Sequence, residues 1–563
     1  MTEACATLTM VGANVEEVLP GILTFLEASL RQGDLVSIQL LANLADRTPM
    51  AFTKLAVPSL PALVPSTSVS PTLMQTWTEA VVNAAIATTV TDVSMVRKTP
   101  SLDELKVEEQ SAAARLGAAV MPRILGWIAS NSTDEDALQV CFQHLSHAAV
   151  TAPSLLTAVL DSLTNTCLEL AKKPSPELQL SSLQVLASLV SVGDVKRRVL
   201  PATMASLIAS TALPICAQLM AEGIDDDFQE WALEPATLVE DGMDDDNDQA
   251  MFADTLCESF LQHLSSLDVA LPLVQRLLES SEWQHSRAGL AMLECGLAAT
   301  PVSLAPHLPT VVQAAASLAG SENPRVQWQA IRLLGSLCEV NANIRESPVV
   351  LERIAAALAS PCTKVSAMAS LGLVSYCRGD EDLDAAQFVL PYLQDILGAL
   401  VQGPLSFAGT DTGSVAAKVR AMGATACVAE VSGDSFGPYY PSIMPGLIAN
   451  AQSPAPEVAG AAVEAATIVG QAVGKEFFAQ DAQQLLSWIL PVLQSEQSSL
   501  PLDQLLSACA RIASVLEEDF APYVDKVLPH LLRRAQQPPD VSIVVCIFDT
   551  ESVFLQDCVC VSH

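Results

Sequence analysis

The chain of 563 residues is too long for one compact core, so it divides into several domains or extends as a repeat array. Half of its residues are apolar but only 4% are aromatic, which excludes a disordered chain and disfavours a β-sandwich. The formal net charge of −35 excludes a binder of nucleic acid phosphates and favours basic protein partners. The alternative is that this acidity only keeps the protein soluble.

The cysteines and the apolar segments point to a helical protein in a reducing compartment. Fourteen cysteines are scattered along the chain, without a CxxC pair or the Cys/His spacing of a zinc site, so we expect small buried thiols. The start Met1–Glu3 lacks the basic region of a signal peptide. The uncharged stretch Pro201–Ala221 has the length of a membrane span, but its polar residues and Pro214 favour a buried helical hairpin. We therefore expect no membrane partner.

A short sequence motif, which we call the proline phrase, recurs along the chain. In it an apolar pair, or His-Leu in one case, is followed by proline at the start of an amphipathic run. Neighbouring prolines of this set are 37 (309 − 272), 54 (445 − 391), 46 (491 − 445) and 38 (529 − 491) residues apart, where HEAT and armadillo repeats have periods of ~40 to 47 residues. We expect each proline in the first turn of a helix, where its missing N–H is not needed. The phrase occurs at Pro20, Pro122, Pro201, Pro272, Pro309, Pro391, Pro445, Pro491 and Pro529.

A second, Ala-rich helix is predicted after each such helix. In the clearest case Asn323 caps the helix and Pro324 occupies its first turn. Small residues such as Gly372 would let neighbouring helices approach closely. Comparable second helices are predicted to begin near Pro176, Trp283, Lys364, Lys418 and Pro456.

One helical hairpin cannot bury its apolar face, so the hairpins have to stack. We therefore predict an all-α, HEAT/armadillo-type α-solenoid, a right-handed superhelix of antiparallel helix pairs. Repeats are expected over residues 1–221 and 261–541. The alternative is an all-α protein without true repeats.

Residues 222–260 are predicted to be an acidic insertion within one repeat, because they contain 14 acids and no base. We expect a long mobile loop that could pair with a basic peptide. The alternatives are a solvated loop without a partner and a cation site, although the EF-hand spacing is missing. The candidate residues are Asp225, Asp226, Asp227, Asp244, Asp245, Asp246 and Asp248.

Motifs for metal hydrolysis and phosphate binding are missing from the sequence. HExxH and P-loop patterns do not occur, and Gly470–Glu476 lacks the GK[ST] ending and follows a predicted helix. His144 and His147 are three residues apart but have no evident carboxylate or cysteine partner. We predict that the chain is not an enzyme and needs neither a cofactor nor a metal ion.

The acidic insertion, followed by Val269-Ala270-Leu271-Pro272 and Ser281-Glu282-Trp283, resembles the middle of importin-β family transport receptors. Later phrases resemble the importin-5 (karyopherin β3) type, and the signal covers about residues 200–541. These phrases are Asn323-Pro324-Arg325-Val326, Phe436-Gly437-Pro438-Tyr439-Tyr440, Ala472-Val473-Gly474-Lys475-Glu476 and Asp519-Phe520-Ala521-Pro522-Tyr523.

The resemblance implies a monomeric import receptor that shuttles between cytoplasm and nucleus. Its partners would be basic cargo proteins with nuclear localisation signals, the Ran GTPase, whose GTP form releases cargo, and Phe-Gly nucleoporins in grooves between first helices. Nucleic acid is not expected to bind. Cargo would be held by acids toward the C-terminal ends of second helices, here Glu294, Glu339, Glu430 and Glu464.

Family members extend further at both ends, so the resemblance leads us to expect a central fragment. The HEAT pattern stops after Val541, and residues 542–563 are interpreted as a non-repeat tail, such as an aberrant end. The alternative function is a HEAT-repeat interaction scaffold, like a phosphatase scaffold or a tubulin-binding array, without sensitivity to Ran.

Overall fold

The computed structural model describes residues 29–30, 34–47, 60–63, 70–94, 112–131, 134–195, 202–222, 228–233, 236, 248–264, 267–378, 385–407, 411–494 and 500–536. Regular structure within these ranges is helical throughout. The predicted all-α solenoid of HEAT-type helical hairpins is therefore confirmed. The predicted tail 542–563 lies outside the described residues.

The chain divides into two compact units, residues 1–431 and 432–563. Three four-residue helices, Leu60–Leu63, Pro301–Leu304 and Ala386–Val389, connect longer ones in the first unit. The longer helices of that unit are α1 (Leu35–Arg47), α2 (Pro71–Ser94), α3 (Ala112–Ser130), α4 (Glu135–Thr151), α5 (Leu160–Ala171), α6 (Pro176–Val195), α7 (Ala202–Glu222), α8 (Phe228–Leu233), α9 (Asp248–Leu264), α10 (Leu267–Leu278), α11 (Trp283–Ala299), α12 (Leu308–Leu318), α13 (Pro324–Val340), α14 (Pro348–Leu358), α15 (Thr363–Arg378), α16 (Leu393–Gln402) and α17 (Thr412–Ser432).

The second unit contains α18 (Tyr440–Asn450), α19 (Pro456–Val473), α20 (Lys475–Gln494), α21 (Leu502–Leu516) and α22 (Ala521–Gln536). Its hairpins pair α18 with α19 and α20 with α21, and α19 packs against α21. Arg534 of α22 binds Asp503 of α21 through two hydrogen bonds, of 2.6 Å from Nε and 2.9 Å from Nη2. The exposed face of α22 carries Val524, Leu528, Leu531 and Leu532.

Second helices form a continuous row in the first unit. The row runs α1, α2, α4, α6, α9, α11, α13 and α15, and each of these helices packs against the next. The first helices α5, α7, α10, α12 and α14 each pack on the second helix that follows. The second helices α6, α9, α11 and α13 thus each pack on the first helix of their own hairpin and on the second helices of two neighbouring hairpins.

Helix α13 shows how the sequence produces this packing. Val326, Ala330, Leu333 and Leu337 recur at intervals of three and four and are 0–1% exposed, which is the pattern of one buried helix face. Burying a leucine side chain stabilises a fold by about 1.5–3 kcal/mol. As predicted, the Asn323 side chain accepts hydrogen bonds from the backbone N–H groups of Arg325 and Val326, and Pro324 begins the helix.

A serine three residues before the helix starts four of the second helices in the same way. Its hydroxyl accepts a hydrogen bond from the backbone N–H two residues later, and this turn directs the chain into the helix. Sequence analysis did not find this device, although the spacing is visible in the sequence. The pairs are Ser280 with Glu282 (3.2 Å), Ser321 with Asn323 (3.1 Å), Ser360 with Cys362 (3.3 Å) and Ser453 with Ala455 (3.3 Å).

The prediction that the recurring prolines begin helices is correct for Pro309, the second residue of α12. It is wrong for five others, which lie inside helices because an extra helical stretch precedes each of them. A proline there removes one backbone hydrogen bond and bends the helix. These five are Pro122, Pro272, Pro445, Pro491 and Pro529.

Residues 202–221 lie in one helix, α7, and do not form the predicted hairpin, because Pro214 lies within the helix without ending it. The window Ala205–Glu222 is long and apolar enough to cross a membrane, and it is the one such helix among the described residues. It packs against α9, α10 and α11, and 56% of the window is buried. These contacts are those of a core helix.

Small residues and thiols occupy the tight places between helices. A Cβ on Gly335 of α13 would lie 3.1 Å from the Cα of Gly372 of α15, so the predicted close approach at Gly372 is confirmed. Ten described cysteines are buried free thiols, as predicted. Burial raises the pKa of the Cys338 and Cys509 thiols to about 12, so both stay protonated and unreactive.

Two glycine-to-alanine substitutions should have opposite effects on stability. A Cβ on Gly117 of α3 would meet the carbonyl oxygen of Leu155 at 1.8 Å, whereas nothing lies within 4 Å of one on Gly423 of α17. We expect Gly117→Ala to destabilise α3 by about 3 kcal/mol or more, since the backbone has to move. Gly423→Ala should stabilise its exposed helix by about 0.5–1 kcal/mol.

The measurement is the thermal unfolding of the full chain, followed by circular dichroism. Gly117→Ala should lower the melting temperature and Gly423→Ala should raise it. Equal shifts from the two variants would contradict the close approach of Leu155 to α3.

Candidate functional site

Four carboxylates were predicted on second helices, and the structure places Glu294 on α11, Glu339 on α13, Glu430 on α17 and Glu464 on α19. The first three belong to the first unit, and Glu464 belongs to the second. Glu294, Glu339 and Glu430 lie in the C-terminal halves of their helices, as expected. The structure gives these four residues different surroundings.

Glu294 connects two second helices. Its carboxylate accepts hydrogen bonds from Gln329 Nε2 at 2.8 Å and from Ser336 Oγ at 3.2 Å. Its Oε1 also lies 2.9 Å from Nε of Arg332, and only 18% of the Glu294 side chain is exposed. This carboxylate therefore crosslinks α11 to α13, and its charge is balanced within the chain.

The carboxylates of Glu339 and Glu430 are more accessible to a ligand than that of Glu294. Glu339 is exposed, and its Oε1 accepts one hydrogen bond from Ser375 Oγ of α15 at 2.6 Å. Glu430 is exposed in the last turn of α17. A carboxylate has about four acceptor positions, so Glu339 keeps capacity for a cationic ligand while it holds Ser375.

Glu464 lies in the second unit and faces a cation of its own chain. Nη2 of Arg511 in α21 is 3.8 Å from Oε1 of Glu464. Nη1 of the same guanidinium lies 3.5 Å from Thr467 Oγ1. Half of the Glu464 side chain is exposed, so this ion pair is loose and screened by water.

Glu258 of α9, which sequence analysis did not select, stands beside Glu294. The side chain is exposed, but protein surrounds one side of its carboxyl group. This partial burial and, next, the negative charge of Glu294 raise the pKa of Glu258 above its ordinary value of 4.5. The protonated form of Glu258 is therefore favoured more than that of a fully solvated glutamate.

Only part of the predicted acidic insertion is described. Asp225, Asp226, Asp227, Asp244, Asp245 and Asp246 lie outside the described residues. Asp248, in contrast, is the first residue of α9, which packs as an ordinary second helix against α6 and α11. The prediction that residues 222–260 cannot form such a helix is thus wrong from Asp248 onward, because Ala253, Phe260 and Leu261 give this stretch an apolar face.

Residues of the insertion cross the beginnings of several second helices. We call this segment, Phe228–Leu233 with Ala236, the strap. Phe228 packs edge-on against Trp283, the first residue of α11, with ring centroids 6.0 Å apart. Ala236 packs with Ala367 of α15 and with Ala416 and Ala417 of α17.

Trp231 is the anchor of the strap and is 2% exposed. Its ring meets that of Trp328 edge-on at 6.3 Å. The guanidinium of Arg325 lies 5.2 Å from the centre of the Trp231 ring, and Lys364 Nζ lies 4.6 Å from it. Sequence analysis singled out the acids around Trp231 and missed the anchor, because its partners are about 90 to 130 residues away in sequence.

Candidate metal ligands are dispersed in the described part of the chain. No three His, Cys, Asp or Glu side chains are grouped there to hold a metal ion. Burial lowers the pKa of His144 and, independently, that of His147, so both are mainly neutral near pH 7. Their surroundings are those of helix-packing residues.

Removing Glu294 should loosen α11 from α13. Glu294→Ala leaves the Arg332 guanidinium without its carboxylate, and we expect the local opening free energy to fall by about 1–3 kcal/mol. Hydrogen–deuterium exchange of peptides from α11 and α13 measures this change. Glu322→Ala, at an exposed acid just before α13, is the control and should change exchange by less than about 0.5 kcal/mol. Equal protection in both variants would contradict a crosslinking role.

The raised pKa of Glu258 predicts a stability change with a defined pH dependence. The folded state favours protonated Glu258, so its stabilising effect is complete below pH 4.5 and is lost as pH rises through the raised pKa. Glu258→Gln should therefore raise the melting temperature at pH 7 and leave it unchanged near pH 4. A variant that is stabilised equally at both pH values would exclude charge repulsion as the cause.

The comparisons with known proteins agree with the fold. No protein-family model matches the chain. Importin subunit beta-3 of Saccharomyces cerevisiae is 24% identical over 512 residues, which cover 87% of this chain and 44% of the relative. Stalled ribosome sensor GCN1 of Mus musculus is 24% identical over 290 residues, which cover 51% of this chain and 10% of the relative.

Among solved structures, the crystal structure of Kap121p matches with a TM-score of 0.74 and 21% identity, covering 92% of this chain and 48% of that one. Kap121p has also been solved bound to RanGTP, with a TM-score of 0.70 at the same identity and coverage. The chain spans about half the length of the importin relatives it matches. The resemblance to the importin-β family that the sequence indicates is therefore confirmed, and this chain has the HEAT-repeat fold of the importin-5-type receptors to which it is similar.

Proposed function

We propose that this chain is part of a nuclear import receptor that binds basic cargo segments along its second helices. The observation that best supports this proposal is that 87% of the chain aligns with a protein named an importin subunit. The same fold is found in Kap121p bound to Pho4p, to Ste12p and to RanGTP. This protein would act by binding and release, as a receptor without catalytic chemistry.

Electrostatics supports a basic ligand. The chain carries 63 acidic and 28 basic residues, which gives a net charge of −35. In the first unit, Glu258, Glu339 and Glu430 add exposed carboxylates along second helices. Partial burial and, next, the charge of Glu294 raise the pKa of Glu258, and a lysine or arginine side chain beside it would stabilise the ionised form. Such charge complementarity speeds encounter and selects the partner.

The further partners follow from the same similarity. Kap121p has been solved bound to Nup53p and to RanGTP. We propose that the receptor passes the nuclear pore by binding Phe-Gly nucleoporins in grooves between first helices, and that RanGTP releases its cargo. A receptor with this cycle shuttles between cytoplasm and nucleus.

A HEAT-repeat scaffold without Ran sensitivity is the second candidate function. The observation in its favour is the 24% identity to the stalled ribosome sensor GCN1 over half of this chain. Long helical arrays share packing patterns whatever they bind, so a match of this kind supports the fold more than a function. The two candidates differ in their response to RanGTP.

Neutralising the exposed carboxylates should weaken cargo binding. We expect the double variant Glu339→Gln, Glu430→Gln to bind a fluorescent lysine-rich import-signal peptide about ten-fold less tightly at low salt, a loss of about 1.4 kcal/mol. The dependence of affinity on salt should also become weaker. Fluorescence anisotropy of the full chain over a range of salt concentrations measures both quantities.

The control is Glu352→Gln, which neutralises an exposed acid on the first helix α14. It should leave the affinity within two-fold of the wild type. If the control and the double variant lose the same affinity, net charge alone drives binding and the second helices are not the site.

The acidic insertion gives a separate prediction. Replacing Asp244, Asp245 and Asp246 with Asn removes three of the 35 net negative charges. If this segment contacts basic cargo, the same peptide should bind more weakly and with a flatter salt dependence. Unchanged binding would leave the acidic run a role in solubility only.

A further inference from the structure

The strap occupies a surface that has the properties of a peptide-binding site. We propose that Arg325, Trp328 and Lys364, the tryptophan cradle, bind one aromatic side chain from an acidic segment of a partner protein. The strap is then a tethered competitor for the same place. This inference goes beyond basic-cargo binding and does not depend on it.

The chemistry of the cradle selects an aromatic ring. Arg325 and Lys364 place cations 5.2 Å and 4.6 Å from the centre of the Trp231 ring. The face of an aromatic ring is electronegative, so cations above it are attracted, and tryptophan gives the strongest attraction. Trp328 meets the same ring at 80°, the edge-to-face arrangement that aromatic pairs favour.

The cradle is a cationic site on an acidic chain. Arg325 and Lys364 are the cations that face the Trp231 ring, whereas Arg332, 5.5 Å from the centre of the Trp328 ring, is paired with Glu294. The segment that occupies the cradle has the opposite charge, because Glu230 and Glu234 flank Trp231. The natural ligand chemistry is therefore a tryptophan or phenylalanine between carboxylates.

The strap is attached in a way that allows exchange. Trp231 is 2% exposed, whereas Leu233 is 87% exposed and Glu230 faces solvent. A helix of six residues is too short to be stable by itself. The strap is held by the Trp231 anchor, by the contacts of Phe228 and Ala236, and by its covalent tether, which gives it an effective concentration on the order of millimolar. A partner that offers the same anchor with more contacts would displace it.

The cradle and Glu339, one of the proposed cargo carboxylates, are separate places. Arg325 and Lys364 are the second residues of α13 and α15, whereas Glu339 is in the last turn of α13. Fourteen residues of helix separate Arg325 from Glu339, or about 21 Å at 1.5 Å per residue. A partner in the cradle would thus be opposite in charge to basic cargo and would leave Glu339 accessible.

The test uses a fluorescent peptide with the sequence of residues 226–238 and the full chain. Trp231→Ala removes the anchor of the strap, so this variant should bind the peptide at least ten-fold more tightly than the wild type does. Adding Trp328→Ala, or Arg325→Gln with Lys364→Gln, to Trp231→Ala should reverse the gain. A peptide in which alanine replaces the tryptophan should not bind.

Circular dichroism shows whether each variant is folded. Should Trp231→Ala not fold, a chain with residues 228–236 replaced by Gly-Ser of equal length takes its place, with the same expected gain. Equal binding to wild type and to the released variant, or no binding to a folded released variant, would overturn the proposal. Concentration-dependent dimerisation of the wild type would assign the cradle to the strap of a second copy and would also overturn it.

Discussion

The packing of each second helix between its neighbours is the constraint on which the rest of the molecule depends. A single hairpin has an apolar face that it cannot bury, so α13 needs both α11 and α15 to cover it. The close approach of Gly335 to Gly372 shows how tightly α13 and α15 meet. Because the row is continuous, side chains on neighbouring second helices lie side by side, and this places Glu294 against Gln329, Arg332 and Ser336.

The same row carries side chains of opposite charge at different positions. Glu294 is largely committed to joining α11 to α13, while Glu339 and Glu430 remain exposed to solvent. Nearer the beginnings of these helices, the cations Arg325 and Lys364 hold the ring of Trp231. Among the described residues, carboxylates and an aromatic site with cations thus lie at different positions along the second helices.

Local patterns predicted the fold well, whereas contacts distant in sequence limited the prediction of the site. The Asn323-Pro324 cap, the buried cysteines and the start of α11 at Trp283 follow from residues a few positions apart. The proline phrase was overinterpreted, because Pro272 and Pro445 are accommodated inside helices. The high acid content led to the prediction of one loop over residues 222–260, although helix α9 with its apolar face begins within this range. Neither the Glu294 crosslink nor the Trp231 anchor could be predicted, since each joins residues between 35 and about 130 positions apart.

Release of cargo by RanGTP tests the central claim most directly. The full chain would be loaded with a lysine-rich import-signal peptide, and peptide dissociation would be followed by anisotropy as Ran loaded with GTP or GDP is added. The account predicts that the GTP form releases the peptide and that the GDP form does not. Peptide binding that is indifferent to both forms would contradict a working import receptor and would favour a HEAT-repeat scaffold with an acidic surface.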